Sequence, residues 1–489
     1  MTAAGKVARR WLLLGHRWLG IGTGLVFALW IGSGLVMLYV PFPSFTRAER
    51  LAHLAPLAWE RVQVGPEAAL IAAGNPTASA AIALEMSGDV PVYRLTGADG
   101  RRLAVSAITE AVREPIDGNE ARRIAGGVHS VTVWRDQWTV TARYDPLRPF
   151  HKVALGDGAG TELYVSARTG EIALDTTRWE RGWNWVGAVT HWVYLTPLRA
   201  RPEAWRQVVL WVSGIASATA LTGSVIGIWR VRLRRRYRGG SVTPYRGLAL
   251  WHHGFGLLGG LGLVTFILSG WLSMNPNRWF SSLTPPEPIL AAYAGVPGRI
   301  ALRPADLAVL ADGPLRQMRF VSIGGRWWVI RERDGGPDAV PASAATGDDR
   351  SAASRHDSFD AATISSAAAD AVAGGHLVAI ERVSAYDAYW YPHGDERPLP
   401  VLRLSFDDPA ATWLHIDPRD GTILNRLDRS GRVNRWLFDA PHRLDLPGLV
   451  TRPTARDAAQ WLLNALGAGI VLTGLVAGGR RLARAKVRR

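Results

Sequence analysis

The chain contains no cysteine. Disulfides, thiolate-held iron–sulfur clusters, haem attached through CxxCH and cysteine nucleophiles are therefore excluded, and a metal or cofactor must be held by His, Met, carboxylate or backbone. Nucleotide-binding signatures are absent too: no GxGxxG sits between a strand and a helix, and there is no P-loop. A third absence is local. The four longest apolar stretches contain neither Asp nor Glu, the carboxylates that ion-coupled transporters place inside the membrane.

Apolar length is plentiful. With 48% hydrophobic residues in a chain of 489 and a mean hydropathy of +0.02, the composition reads as lipid-facing helices mixed with polar domains. Leu12 to Val40, Val208 to Trp229, Leu248 to Met274 and Ala458 to Ala477 are each long enough to cross a bilayer, which takes about 20 residues per helix. The first follows a basic stretch, as a signal peptide would. Its apolar run is longer than an h-region of about 7–15 residues, and PFPS offers no small-x-small cleavage site, so it is expected to remain as an anchor.

Charge sets the expected orientation. Residues 1–15, the 230–250 loop and the tail from 479 carry 16 basic residues and no acidic one, which accounts for the whole formal charge of +16. The positive-inside rule puts these segments in the cytoplasm and both large loops outside. An excess confined to the flanks of the spans points to a lipid bilayer and to no nucleic acid. Trp11, Trp18, Trp205, Trp229, Trp251, Trp271 and Trp461 lie near span ends, where amphipathic rings prefer the interface. The expected organisation is a cytoplasmic N-terminus and first span (1–40), an outer domain (41–200), a second span (201–230) and a basic loop (231–247). A third span (248–275), a second outer domain (276–455), a fourth span (456–478) and a basic tail (479–489) follow. The cytoplasmic pieces total under about 50 residues, too few for a nucleotide or flavin domain.

Spacings repeat. HRWLGIGTGLVFALWIGSG and HHGFGLLGGLGLVTFILSG each place a Gly 4, 8 and 18 residues after His16 and His252, the last within a Ser-Gly pair. ARTGEI matches PRDGTI; Gly170 precedes His191 and Gly421 precedes His442 by 21 residues each, and Thr-Gly pairs begin 31 residues after each histidine, at Thr222 and Thr473. The expected fold is a four-helix transmembrane bundle with two outer α+β domains, internally duplicated about an axis along the membrane normal. Strand-like alternation occurs in PVYRLTGADGRRLAVSA, VSIGGRWWVIRERDGG, LPVLRLSF and ATWLHIDPRDGTIL, and 334–360 reads as a linker or long loop.

Ionisable residues at span edges are costly and usually functional. His16 and His252 fall in the first turns of spans one and three; His191 and His442 lie in aromatic-rich segments ahead of spans two and four. An axis along the normal puts equivalent histidines at equal depth, so a pair could ligate one iron from opposite sides, as a bis-imidazole haem requires. The expectation is two non-covalent b-type haems, one between His16 and His252 near the cytoplasm and one between His191 and His442 at the outer edge. His253 competes with His252 for the inner site. Gly15, Gly20, Gly24, Gly254, Gly256 and Gly260 would let helices or a flat macrocycle approach. His129, His151, His376, His393 and His415 are expected to be structural, and DAYWYPHGDERPLP (387–400) to pack the outer domain or flank a substrate.

The HRWLG opening, the run DAYWYPHGDERPLPVLRLSFDDPAATWLHIDPRDGTIL, the following RWLFDAPHRLDLPGL and the terminal Thr-Gly span resemble the PepSY-associated transmembrane helix family of iron-regulated bacterial inner-membrane proteins. The likeness covers nearly the whole chain, and 387–445 is its most specific part. Pro441 before His442 departs from the family's common Leu-His pairing. The resemblance implies PepSY-like periplasmic domains and reduction of a ferric siderophore through haem held by membrane histidines, with electrons from a quinol or a cytoplasmic reductase. A different class of function, a non-enzymatic periplasmic binding or regulatory module with packing histidines, is the alternative.

Overall fold

The computed structural model describes residues 3–74, 82–96, 100–234, 236–237, 239–333, 336–345, 358–392 and 397–486; Arg235, Arg238 and His393 lie outside them. Four helices are long and apolar enough to cross a membrane: α1 (Ala3–Met37), α2 (Pro202–Arg230), α3 (Leu248–Ser273) and α4 (Pro453–Lys486). All but α3 run past the apolar stretch that marks them, because Ala, Arg and Lys beyond the apolar run are strong helix formers. Together with antiparallel sheets they make a mixed α+β membrane protein.

α1 packs against α2 and α4, and so does α3. The bundle therefore sets α1 and α3 across its diagonal, around a core of Phe27, Ala216, Ala220, Leu263, Ile267 and Val471. Small residues allow the close approach: a Cβ on Gly259 would lie 2.6 Å from Leu466 Cβ, and one on Gly24 2.8 Å from Leu475 Cδ2.

Strands come from both outer segments: β1 (Ile82–Ser87), β2 (Val90–Thr96), β3 (Arg102–Ser106), β4 (His129–Val133), β5 (Phe150–Ala154), β6 (Glu162–Ser166) and β7 (Ile172–Thr176) from the first, and β8 (Gln317–Ile323), β9 (Arg326–Arg333), β10 (Gly336–Pro341), β11 (Leu377–Val383), β12 (Val401–Phe406), β13 (Trp413–Ile416) and β14 (Ile423–Leu427) from the second. Two four-stranded sheets, β4-β5-β6-β7 and β11-β12-β13-β14, each stay within one segment. The third, β10-β9-β8-β1-β2-β3, does not. Its central pair joins the segments antiparallel, with Ile82 opposite Phe320, Ala83 opposite Arg319 and Leu84 opposite Met318.

Period-two burial explains that pairing. Ile82, Leu84, Met318 and Phe320 share one face and enter a single core with Tyr93, Leu95, Leu307 and Val329, so either strand left at an edge would expose that face and its ladder groups. The opposite face is polar and buried. Glu85 accepts from Arg50 at 3.0 Å and Arg94 at 2.9 Å, while Arg319 donates to Glu332 at 2.8 Å and Asp420 at 2.6 Å. Asp420 belongs to the β13–β14 turn, and Gly170 O of the β6–β7 turn accepts from Arg94 at 3.2 Å, so the two four-stranded sheets dock on this face. Gly170 and Gly421 take φ of +69° and +70° there, a region open mainly to glycine.

One expectation is corrected. Within 334–360, read as linker or loop, residues 336–341 form edge strand β10 on β9. Buried Arg331 donates to both carboxylate oxygens of Asp338, at 2.7 and 2.6 Å, and that bidentate pair holds a Gly- and Pro-containing segment in the sheet.

Candidate functional site: two histidine pairs

The last strand of each four-stranded sheet delivers a histidine to the bundle. After β7, Thr177 and Glu180 form a capping box on helix Arg178–Val186; a break at Gly187 leads to the turn Ala188–His191. After β14, Asp428 accepts from Gly431 N at 2.8 Å and starts Arg429–Asn434. A π-helical turn over Arg435–Asp439 follows, with Ala440 N–H reaching back to Arg435 O, and then Ala440–Arg443. Pro441 has no N–H for the ordinary bond to Leu437, so a wider turn beside it costs less.

His16 and His252 meet with ring centroids 6.5 Å apart, and His191 and His442 meet at 6.2 Å. These partners come from across the bundle diagonal or from the two segments that precede α2 and α4. His16 and Gly34, the residue against which His191 packs, are 18 positions apart on α1, so the two pairs are separated by roughly 27 Å of helix.

Each ring is held in the same way. His16 Nδ1 lies 3.2 Å from Thr219 O and 3.4 Å from Thr222 Oγ1; His252 Nδ1 lies 3.0 Å from Ile470 O and 3.1 Å from Thr473 Oγ1. His442 Nδ1 is 3.0 Å from Phe266 O and 3.1 Å from Ser269 Oγ, and His191 Nδ1 is 3.0 Å from Ser33 Oγ. A carbonyl only accepts, so Nδ1 carries the proton in three of the four. Ser33 Oγ donates to Trp30 O at 3.3 Å, which leaves it to receive the His191 proton. Nε2 then bears the lone pair, the form a metal ligand needs.

The residue after each hydroxyl is glycine, and the ring rests on it. A Cβ would lie 2.7 Å from His16 Cε1 at Gly223, 3.2 Å from His252 Cε1 at Gly474, 3.2 Å from His442 Cε1 at Gly270 and 3.5 Å from His191 Cε1 at Gly34. Ser33-Gly34, Thr222-Gly223, Ser269-Gly270 and Thr473-Gly474 are thus seats for the rings. In the sequence each of these pairs stands at a fixed distance from a histidine other than the one it seats, so the spacing marks the repeat and carries no signal of this role.

Of the six glycines singled out near His16 and His252, Gly24 and Gly260 meet neighbouring side chains, whereas Gly15, Gly20, Gly254 and Gly256 have nothing within 4 Å of a Cβ. Gly20 and Gly256 follow their histidines by four residues and share their helix faces. His253 stands apart from the pair: its Nδ1 is 2.9 Å from Thr243 Oγ1 and its Nε2 2.9 Å from Gly227 O, so both nitrogens are engaged.

Two other described histidines, His151 and His415, bond protein groups through their rings. His151 bonds Thr132 Oγ1 and Ile116 O, each at 2.9 Å. His415, fully buried, accepts from Arg403 Nε at 2.9 Å, donates to Asn425 Oδ1 at 2.7 Å and stacks on Trp390 at 4.9 Å. Burial, with Arg403 beside it, holds its imidazole down at about 4. His129 is exposed on β4, and exposed His376 stands just before β11, its backbone N–H donating to Asp407 Oδ1. Trp390 and Tyr391 of the 387–400 run are buried, while Tyr389 is half-buried. Among the described residues no group of three or more His, Asp or Glu could hold a metal ion.

The fold and the site define a mixed α+β membrane protein with two histidine pairs set at opposite ends of a four-helix bundle. No protein-family model and no curated protein matches the chain.

Proposed function

We propose that the chain is a haem b-containing inner-membrane electron-transfer protein that reduces a periplasmic acceptor, a ferric siderophore. The observation that carries this reading is the geometry of the pairs. An iron between two imidazoles needs about 2 Å to each nitrogen and roughly 1 Å more to each ring centre, or about 6 Å from centroid to centroid; the pairs stand at 6.5 and 6.2 Å. Anchored Nδ1 atoms and open space beside Gly20 and Gly256 fit a flat macrocycle ligated at Nε2.

An internal duplication supports the pairing. Ala83 and Arg319, which face each other across β1 and β8, are 236 positions apart, the interval between His16 and His252. A two-fold axis between those strands brings equivalent residues face to face. In this arrangement each copy seats its own rings and turns one ligand at each level toward the other copy. With the basic segments in the cytoplasm, the sheets are periplasmic PepSY-like domains, and electrons enter from a quinol or a separate cytoplasmic reductase.

Bound haem supplies reversible one-electron chemistry at iron, while the protein supplies ligands, burial and orientation. One electron passed to Fe(III) in a siderophore gives Fe(II), which hard oxygen ligands hold less firmly.

Absorption spectra of the purified protein test the reading. A Soret band with split low-spin α and β bands and two haems per chain is expected. His16→Ala or His252→Ala should remove one haem, His191→Ala or His442→Ala the other; loss of both from a single change would argue against this pairing. A colourless, normally folded wild-type protein would overturn the haem reading in favour of a binding or regulatory module.

A further inference from the structure

A shallow, open groove runs along the first turns of α1, framed by Lys6, Arg9, Arg10, Leu13, Leu14 and Arg17. Lys6, Arg10 and Arg17 are exposed, and positions 6, 10, 13, 14 and 17 fall on one helix face. Arg9 lies over the Trp229 ring at 3.8 Å; Lys6, Arg10 and Arg17 have no hydrogen-bond or ion-pair partner among the described residues. The protein offers none nearby, since the three basic segments hold no Asp or Glu.

Depth separates these cations. Arg17 is seven residues beyond Arg10, roughly 10 Å further along the helix, inside the apolar run and beside exposed Trp18. An unpaired guanidinium at that depth draws a counter-charge or water into the membrane edge. Leu13 and Leu14 lie between Arg10 and Arg17 and give the groove an apolar floor. A ligand that satisfies all of this brings negative charge to both Arg10 and Arg17 and carries an apolar part that continues into the run beyond Arg17, which a free anion does not.

We propose that this groove binds the headgroup of an anionic phospholipid, with the phosphate held by Arg10 and Arg17 across Leu13 and Leu14 and the acyl chains continuing past Arg17 into the apolar run. Arg17 directly follows His16 in the chain, but none of the six residues framing the groove belongs to a histidine pair. Arginine offers phosphate two parallel donors, and basic clefts beside spanning helices suit anionic lipids.

The test is lipid binding to the purified full chain, followed by native mass spectrometry with phosphatidylglycerol or phosphatidylcholine and with inorganic phosphate as a control. The wild-type chain should prefer phosphatidylglycerol by roughly tenfold or more. Lys6→Gln/Arg10→Gln/Arg17→Gln should lose that preference, while Arg232→Gln/Arg234→Gln/Arg236→Gln keeps it. Equal binding of the two lipids, saturation by inorganic phosphate at the same concentration, or equal loss in the loop variant would overturn the site. If the first variant fails to insert, hydrogen exchange on the wild-type chain decides. Protection confined to residues 5–18 in phosphatidylglycerol nanodiscs relative to phosphatidylcholine supports the site, and no difference there overturns it.

Discussion

A histidine can serve as a ligand when one ring nitrogen is held and the other is left open. Here the holding is done by a hydroxyl or carbonyl one helix away, and a glycine beside the hydroxyl makes room for the ring. That arrangement gives a prediction with opposite signs on stability and on the site. Gly223→Ala replaces a helix-interior glycine and should favour the helix by up to about 1 kcal/mol. Its Cβ would nevertheless stand 2.7 Å from His16 Cε1, so the ring must leave its seat. Under the proposed function the variant should lose about half of the haem per chain, measured as pyridine haemochromogen, while the haem-free variant melts no lower than the haem-free wild type. The equivalent change at the sheet end, Gly270→Ala, should act on the other haem. The residue scale also explains why His253 is a poor ligand despite its position next to His252: both of its nitrogens are bonded to the protein.

Elements place these residues. The helices contact each other through glycine, so bundle spacing depends on side chains that are missing. Gly259 is the tightest test: a Cβ there would lie 2.6 Å from Leu466 Cβ and 3.4 Å from the Leu466 backbone carbon, which cannot swing aside. Gly259→Ala should therefore push α3 from α4 and cost about 2 kcal/mol, in the range of overpacked cores. Gly22→Ala, at an exposed site with nothing within 4 Å of its Cβ, is the control and should leave stability unchanged or slightly raised. Reversible unfolding in mixed micelles measures both. On the outer side, the elements that deliver His191 and His442 differ although they follow equivalent strands. One uses a capping box and a break at Gly187, the other a π-helical turn ahead of Pro441.

At the scale of the whole molecule, charge and the shared sheet set the layout. The excess basic charge is confined in sequence to the three short segments that flank the spans, and all 14 described strands belong to the two segments between α1 and α2 and between α3 and α4. Because the chain has no cysteine, single cysteines report sidedness without background. Arg234→Cys should react with a membrane-impermeant maleimide only after cells are permeabilised, and Ala385→Cys should react in intact spheroplasts; the reverse pattern would invert the orientation. β1 and β8 join the two outer segments into one sheet, so a change in one segment is felt by the other through a common core.

The sequence by itself determined the four long apolar helices, seven of the 14 described strands (β2, β3, β8, β9, β12, β13 and β14) and the four histidines with their equal spacings. Hydrophobic length and period-two or helical alternation are local properties that survive without a partner. Strand β10 escaped because its Gly and Pro content reads as loop, and what holds it, the ladder to β9, buried Ala339 and Val340 and the Arg331–Asp338 pair, consists of contacts with other elements. The repeat spacings also named which histidines should meet, and the structure puts those rings 6.5 and 6.2 Å apart; the tertiary structure alone decided that hydroxyl–glycine pairs seat the rings and that strands from both segments share a sheet. Those facts concern distances between residues more than 150 positions apart in sequence, which no local pattern encodes and which packing of the bundle sets.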